Sequence, residues 1–208
     1  MIAQGSSVVR RGAALGVAVL AVAGCGPYPP GPLPSPTTTR TIGPTTQVLP
    51  YAGAPAVRDP LPVTVVSGDP CTTALTPEQV RHVLGAEVTG KRDRNESAGP
   101  ACLWENPATA RTILVAYATR HRQGLSAVYP SRPPEEGRVW RALEVEGFPA
   151  VADTRDPPWY CTVTVGLADD MAVEVSLVGR ADDGGDVCVV TVRTAELVVG
   201  TLRKQAGR

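Results

Sequence analysis

Cys161-Thr162-Val163-Thr164-Val165-Gly166-Leu167-Ala168-Asp169-Asp170-Met171-Ala172-Val173-Glu174-Val175-Ser176-Leu177 is the stretch that decides the fold. Cys161, Val163, Val165 and Leu167 alternate with Thr162, Thr164 and Gly166, and Val173, Val175 and Leu177 alternate with Ala172, Glu174 and Ser176. A period of two sends each apolar set to one face of a strand. Ala168-Asp169-Asp170 between the runs makes a tight turn, so the stretch predicts an antiparallel hairpin with one face buried and Cys161 on that face.

Downstream, Cys188, Val192, Ala195, Val199 and Leu202 recur at steps of three and four, the spacing of one helical face, with Asp186 as N-cap. That helix should lie across the sheet and bring Cys188 over the strand that carries Cys161. Upstream, Trp140, Leu143 and Val145 extend the sheet, Ile113, Val115 and Tyr117 alternate in a further strand, and Cys102 and Trp104 share a face two residues apart. The stretch from His121 to Arg138 is polar and Pro-broken and reads as loop with one helical turn. Thr76-Pro77-Glu78-Gln79 carries a helix start, with Thr76 as N-cap, Pro77 first in the helix and Gln79 closing a capping box; Val80, Val83 and Leu84 form its apolar face and Gly85 its stop. Strands bracketed by a short N-terminal and a longer C-terminal helix predict the α+β class, an antiparallel sheet with helices packed on it.

Four cysteines fall within residues 63–208: Cys71, Cys102, Cys161 and Cys188. In an exported domain four cysteines form two disulfides, for which three connectivities exist. Pairing Cys71 with Cys102 and Cys161 with Cys188 is favoured, because each bridge closes a loop of roughly 30 residues within one half of the domain. No pair has the spacing of a zinc finger.

The chain upstream has a different character. Arg10 and Arg11 precede an apolar run from Ala13 to Ala23, too short for a bilayer core that needs about 20 apolar residues. Residues 1–24 therefore read as a cleaved signal, with Arg10-Arg11 as its positive region. Val22-Ala23-Gly24-Cys25 resembles the bacterial lipobox, which implies a diacylglycerol on the Cys25 thiol and cleavage before it. Two acyl chains anchor stably where one is marginal. The competing account is an ordinary secreted protein with a chance cysteine near the cut. Residues 25–62 are dense in Pro, Thr and Gly, from Pro27, Pro29 and Pro30 through Thr37, Thr38 and Thr39 to Thr45 and Thr46. Such a segment buries too little apolar surface to order itself and reads as a tether reaching up to about 100 Å when extended. Its threonines suit either O-linked sugar or plain solvation. Residues 63–208 are left as one extracytoplasmic domain.

Asp69-Pro70-Cys71 before the Leu75-Thr76 helix start, Cys102-Leu103-Trp104, and Gly147-Phe148-Pro149-Ala150-Val151 leading to Cys161-Thr162-Val163 together resemble the actinobacterial lipoproteins of the DUF3558 family over Asp69 to Leu202. The Ala, Val, Gly, Pro and Arg bias, with a single Phe, suits a GC-rich actinobacterial genome. The resemblance implies a membrane-anchored extracytoplasmic domain of uncharacterised function and brings no catalytic residues, since the shared positions are ones that build a fold.

No nucleophile, base and orienting group can be assembled from sequence. His82 sits on the first helix beside Arg81, and His121 lies between Arg120 and Arg122; both read as surface residues. Glu135-Glu136 and Asp169-Asp170 are acidic pairs of the kind glycan cleavage uses, but adjacent turn residues seldom converge on one substrate atom. Asp182, Asp183 and Asp186 around Gly184-Gly185 form the loop best suited to Ca²⁺, although it lacks the spacing and distal Glu of an EF-hand and a solvated loop explains every residue. Asn95-Glu96-Ser97 is a coincidental sequon. Zero net charge argues against nucleic acid.

The expectation is thus no enzyme, cofactor or metal. It is a lipid-tethered module whose partner is an envelope protein, a wall polymer or a small ligand. The alternative is an accessory or regulatory lipoprotein acting on a membrane sensor or cell-envelope complex, and behind it an enzyme of unrecognised type. Cys25→Ala is expected to release the protein from membranes or leave its signal uncut, read by detergent partitioning and the mass of the mature N-terminus; unchanged attachment overturns the anchor.

Overall fold

The computed structural model describes residues 48–208 apart from 96, 133–136, 158 and 181–184. Cys25, the signal and most of the tether thus lie outside the described residues. Three helices, α1 (Pro70–Thr73), α2 (Pro77–Leu84) and α3 (Val187–Gln205), accompany seven strands: β1 (Lys91–Arg92), β2 (Ala101–Asn106), β3 (Arg111–Ala118), β4 (Val139–Val145), β5 (Phe148–Thr154), β6 (Tyr160–Ala168) and β7 (Met171–Val178). All seven form a single sheet in the order β1-β2-β3-β7-β6-β5-β4, every neighbour antiparallel. The α+β class expected from sequence is the one observed.

The hairpin that decides the fold is β6–β7, with Asp169-Asp170 as its loop. Cys161 faces Leu177, Val163 faces Val175 and Val165 faces Val173. Those side chains are fully buried, together with Ile113, Val115 and Tyr117 on β3, and α3 covers them with Ala195, Val198, Val199 and Leu202. Each such aliphatic residue stabilises the fold by roughly 1.5–3 kcal/mol when taken wholly out of water. At its N-terminus α3 is capped by Asp186, whose carboxylate accepts from Cys188 N–H at 2.8 Å. Thr76 and Gln79 make the reciprocal capping box of α2, and Gln79 also reaches Thr201 on α3 at 3.2 Å, which couples the two helices.

Both bridges have the expected connectivity. Cys161–Cys188 fastens α3 to β6, and Cys71–Cys102 fastens α1 to β2. Around the second of these the chain passes so close that a Cβ at Gly90 would lie 2.6 Å from Cys102 Sγ and 2.7 Å from Trp104 Nε1, so glycine is required there.

Two features differ from the sequence reading. The first is the start of the packed chain, drawn at residue 63. Within the preceding segment Ala54 and Leu61 are buried, Tyr51 N–H donates to Ser126 Oγ at 2.9 Å and Val57 N–H donates to Asp169 Oδ1 at 2.8 Å. A register shift between Gly166 and Ala168 interrupts the β6 ladder, and the Leu167 carbonyl there accepts from Leu61 N–H at 2.9 Å. Composition marks this segment as tether because its attachment uses backbone N–H groups and two small anchors, not an apolar run. The second is β5, which the alternation did not mark as a strand. It follows β4 through Glu146-Gly147, both at positive φ, the geometry of a two-residue hairpin turn.

The sheet order has one long consequence. Leaving β3, the chain must pass β7, β6 and β5 to reach β4, about 19 Å at the usual strand spacing. It does so over the face away from α3, through 3-10 turns at Gly124–Ala127 and Tyr129–Ser131. Leu125 presses on Gly166, where a Cβ would meet Leu125 Cγ at 2.9 Å. Ala54, Leu125, Tyr129 and Val151 make a second, small apolar cluster on this side.

Replacing Cys161 and Cys188 together by Ala is expected to lower the unfolding free energy by about 3 kcal/mol, the chain-entropy value for a loop of this length. Urea unfolding without reductant measures it, and an unchanged midpoint contradicts the staple.

Candidate functional site

Because β3 to β7 pair in register, the residues of the face away from α3 line up in rows across the sheet. One row runs Trp140 on β4, Asp153 on β5, Thr162 on β6, Ser176 on β7 and Leu114 on β3; the next runs Ala142, Val151, Thr164, Glu174 and Ala116. The crossover covers one part of this face. Over the remainder lies a cavity of about 400 Å³, with Thr162, Thr164, Glu174 and Ser176 as its floor and Leu114, Val128, Trp140 and Val151 among its walls. Its size falls within the usual range for small-molecule sites, about 300–1,000 Å³.

The floor is polar and largely buried. Tyr160 Oη and Thr162 Oγ1 are 2.6 Å apart, and Thr162 Oγ1 and Ser176 Oγ 2.7 Å, a chain of hydroxyls across two strands. Arg138 grips Asp153 with two nitrogens of one guanidinium edge, Nε donating to Oδ1 at 2.7 Å and Nη2 to Oδ2. Trp140 stands edge-on to Tyr129, ring centroids 5.2 Å apart, with the Arg132 guanidinium 5.1 Å from the Trp140 ring centre. Thr154 accepts from Asp156 N–H and donates to the Tyr160 carbonyl, which fixes the β5–β6 turn at the cavity's end.

Glu174 stands apart. Among the described residues its side chain has neither a hydrogen bond nor an ion pair, and burial alone pushes its carboxyl above the ordinary carboxylate range. The hydroxyl of Thr164, directly opposite on β6, also lacks a hydrogen-bond partner among them.

The candidates read from sequence fall elsewhere. His82 and His121 are exposed on different elements. Asp169 and Asp170 serve the fold, the first accepting from Val57 N–H and the second paired with Arg122. Asp186 is a helix cap, while Asp182, Asp183, Glu135, Glu136 and Glu96 lie outside the described residues. No three His, Cys, Asp or Glu side chains among the described residues converge as a metal site would require. Two further hollows, each about 700 Å³, lie beside His82, Arg193 and Glu196 and beside Cys71, Val88 and Trp104. The first takes its charge from His82, Arg193 and Glu196 at the surface, from Glu146, which is already paired with Arg203, and from the buried Arg111, which is itself engaged in an interaction; the second is lined by polar and apolar surface in similar measure. Sequence reasoning passed over Glu174, Thr162, Thr164 and Ser176 because they occupy the outward positions of an alternating hairpin. The one available signal was an acid among small hydroxyl residues, and its meaning depends on the crossover's path.

Fold and cavity together define a disulfide-stapled α+β domain with a recess of polar floor and apolar walls on the sheet face opposite its helices. The chain belongs to the family described as Protein of unknown function (DUF3558), whose model matches residues 20–201. No curated protein and no solved structure matches it.

A carboxyl with a raised pKa in the fold holds its proton where the unfolded chain has released it, so it subtracts stability as pH rises through that interval. Glu174→Gln is therefore expected to be more stable than the parent at pH 7, with the gain vanishing below the ordinary carboxylate range. Urea unfolding across a pH series tests this; a gain independent of pH contradicts it.

Proposed function

We propose that the chain is a lipid-anchored extracytoplasmic binding module, not an enzyme, that receives a small polar ligand in the cavity beside the β3–β4 crossover. The observation that carries this reading is the cavity floor, where a half-buried carboxylate and a row of hydroxyls share a recess with apolar walls. Buried polar groups are ordinarily satisfied within the protein. The Glu174 carboxylate and the Thr164 hydroxyl face the open side of the cavity without a protein partner among the described residues, and groups so placed are suited to completion by a ligand.

Export and anchoring rest on the sequence. The apolar run, the Val22-Ala23-Gly24-Cys25 box and the Pro/Thr-rich stretch after it supply signal, lipid site and tether, and the family match includes that box. Two disulfides suit an oxidising compartment. The actinobacterial assignment rests on composition and the family resemblance. A non-catalytic role is supported by the lining itself: Asp153 is held by Arg138, which leaves Glu174 without an obvious acid or base to work with, and the two histidines sit on other surfaces.

An accessory role toward an envelope protein has one observation in its favour. Val139, Trp159, Tyr160 and Val178 are all 40% exposed or more and lie at one end of the sheet, beside the cavity. Binding there would couple ligand occupancy to a partner.

The test is a thermal-shift survey of the full chain in detergent against cell-wall fragments and small polar metabolites. It is repeated on Ser176→Leu, which places a larger apolar side chain on the cavity floor. A ligand at a hundred times its Kd stabilises by about 2.7 kcal/mol, or roughly 5–10 °C for a domain of this size. Such a shift in the parent and its loss in the variant are expected. Equal shifts in both proteins place binding outside the cavity.

A further inference from the structure

We infer that the cavity is built for a small cation that also carries hydroxyl groups, a protonated amine on a polyol or sugar frame. The inference rests on reading the cavity as a ligand site and concerns the ligand's chemistry.

The argument begins with charge. Four charged side chains line the cavity: Arg138, Asp153, Arg155 and Glu174. Arg138 and Asp153 neutralise each other, and Arg155 is itself engaged in an interaction. Glu174 is the one lining carboxylate with no partner among the described residues. Its cross-strand neighbours are Thr164 on one side and Ala116 on the other, so neither adjoining strand offers it a cation. An uncompensated carboxylate in a partly dehydrated site is destabilising, and a ligand that brings an N–H⁺ group to it forms a charge-assisted hydrogen bond. An anionic ligand would meet repulsion at the same point, and a neutral one would leave the charge uncompensated.

The hydroxyls set the second requirement. A hydroxyl has one hydrogen and two lone pairs. Tyr160, Thr162 and Ser176 share two bonds among three hydroxyls, so two hydrogens are used, one remains, and lone pairs are left over. Thr164 adds a further hydroxyl, without a partner among the described residues, beside Glu174. This set both accepts and donates, which suits ligand hydroxyls better than a purely anionic or purely apolar group. Leu114, Val128 and Val151 supply an apolar wall for the C–H surface of such a molecule. A volume of about 400 Å³ admits a hexose-sized ligand.

Three probes of one shape separate the charge from the rest: glucosamine at a pH that keeps its amine protonated, glucose and glucuronate. Each is titrated into the full chain in detergent, with the indole N–H resonance of Trp140, assigned by a Trp140→Phe variant, as the local readout. Glucosamine is expected to bind about tenfold or more tighter than glucose, and glucuronate weakest. Glu174→Gln is expected to bring glucosamine down to the glucose level, while Glu174→Asp, which keeps the charge, retains part of the preference. Circular dichroism verifies that both variants are folded. Equal binding of glucosamine and glucose, or a preference that survives Glu174→Gln, overturns the charge assignment and leaves the cavity standing as a ligand site. Silence from all three probes overturns the ligand class proposed here. The cavity reading itself then fails only if the wider survey also gives no shift that Ser176→Leu removes.

Discussion

Pairing of β3 with β7 is the contact on which the rest of the architecture depends. Every other neighbour in the sheet is a sequence neighbour, joined by its own turn. β3 and β7 instead meet across more than fifty positions of chain, with Thr112 to Ala118 aligned against Val178 to Ala172. That junction turns a three-stranded and a four-stranded meander into one seven-stranded sheet. It also places β4 at the far edge, so the chain leaving β3 must travel over one face of the sheet to begin the second meander. Because α3 occupies the other face, the crossover and the helices are segregated. The sheet therefore has a dry side and a side only partly covered, and the cavity is what the partial cover leaves.

The two bridges act on the dry side. Each ties a helix to a strand, one from either meander, and neither spans the β3–β7 junction. They limit how far the helices can separate from the sheet in the unfolded chain, whereas the junction itself is held by apolar burial and backbone pairing. On the partly covered side the attachments are few and mostly polar: Ser126 and Asp169 each receive a backbone N–H from the segment before Leu61, and Leu125 lies against Gly166. This covering layer is thinner and less apolar than the α3 layer. A recess that admits a ligand is more easily kept open there than in the main core.

Much of this frame can be read from the chain, because its determinants are local. The β6–β7 hairpin is written in strict alternation around Asp169-Asp170, α2 in its capping box, and α3 in its three-four spacing after Asp186. The disulfide pairing follows from short loops and from Cys161 lying beneath the helix that carries Cys188. The route of the crossover is a different matter, since it depends on strand order, a property of no single segment. β5 escaped because Pro149, Ala150 and Ala152 do not give the pattern of bulky apolar residues alternating with polar ones. The docked stretch before residue 63 escaped because its prolines dominate its composition while Ala54 and Leu61 do the anchoring. The site inherits all three gaps. Glu174 and Ser176 look like outward residues of a hairpin until the crossover is laid beside them.

Alternation explains why a polar residue stands at position 174, but not why it is a carboxylate. At a half-buried position an amide or a hydroxyl would avoid the penalty that lifts the Glu174 pKa, and Thr164, Thr162 and Ser176 show that small hydroxyl residues fit this face. Arg138 and Asp153, the latter two strands away on β5, show how the same face satisfies charge when the only requirement is structural: by a bidentate pair. Glu174 lacks such a counterpart among the described residues, so its charge is a net loss to the fold as it stands. Residues that lower stability at a recess lined by otherwise compatible groups are the ones expected where binding, not folding, sets the choice.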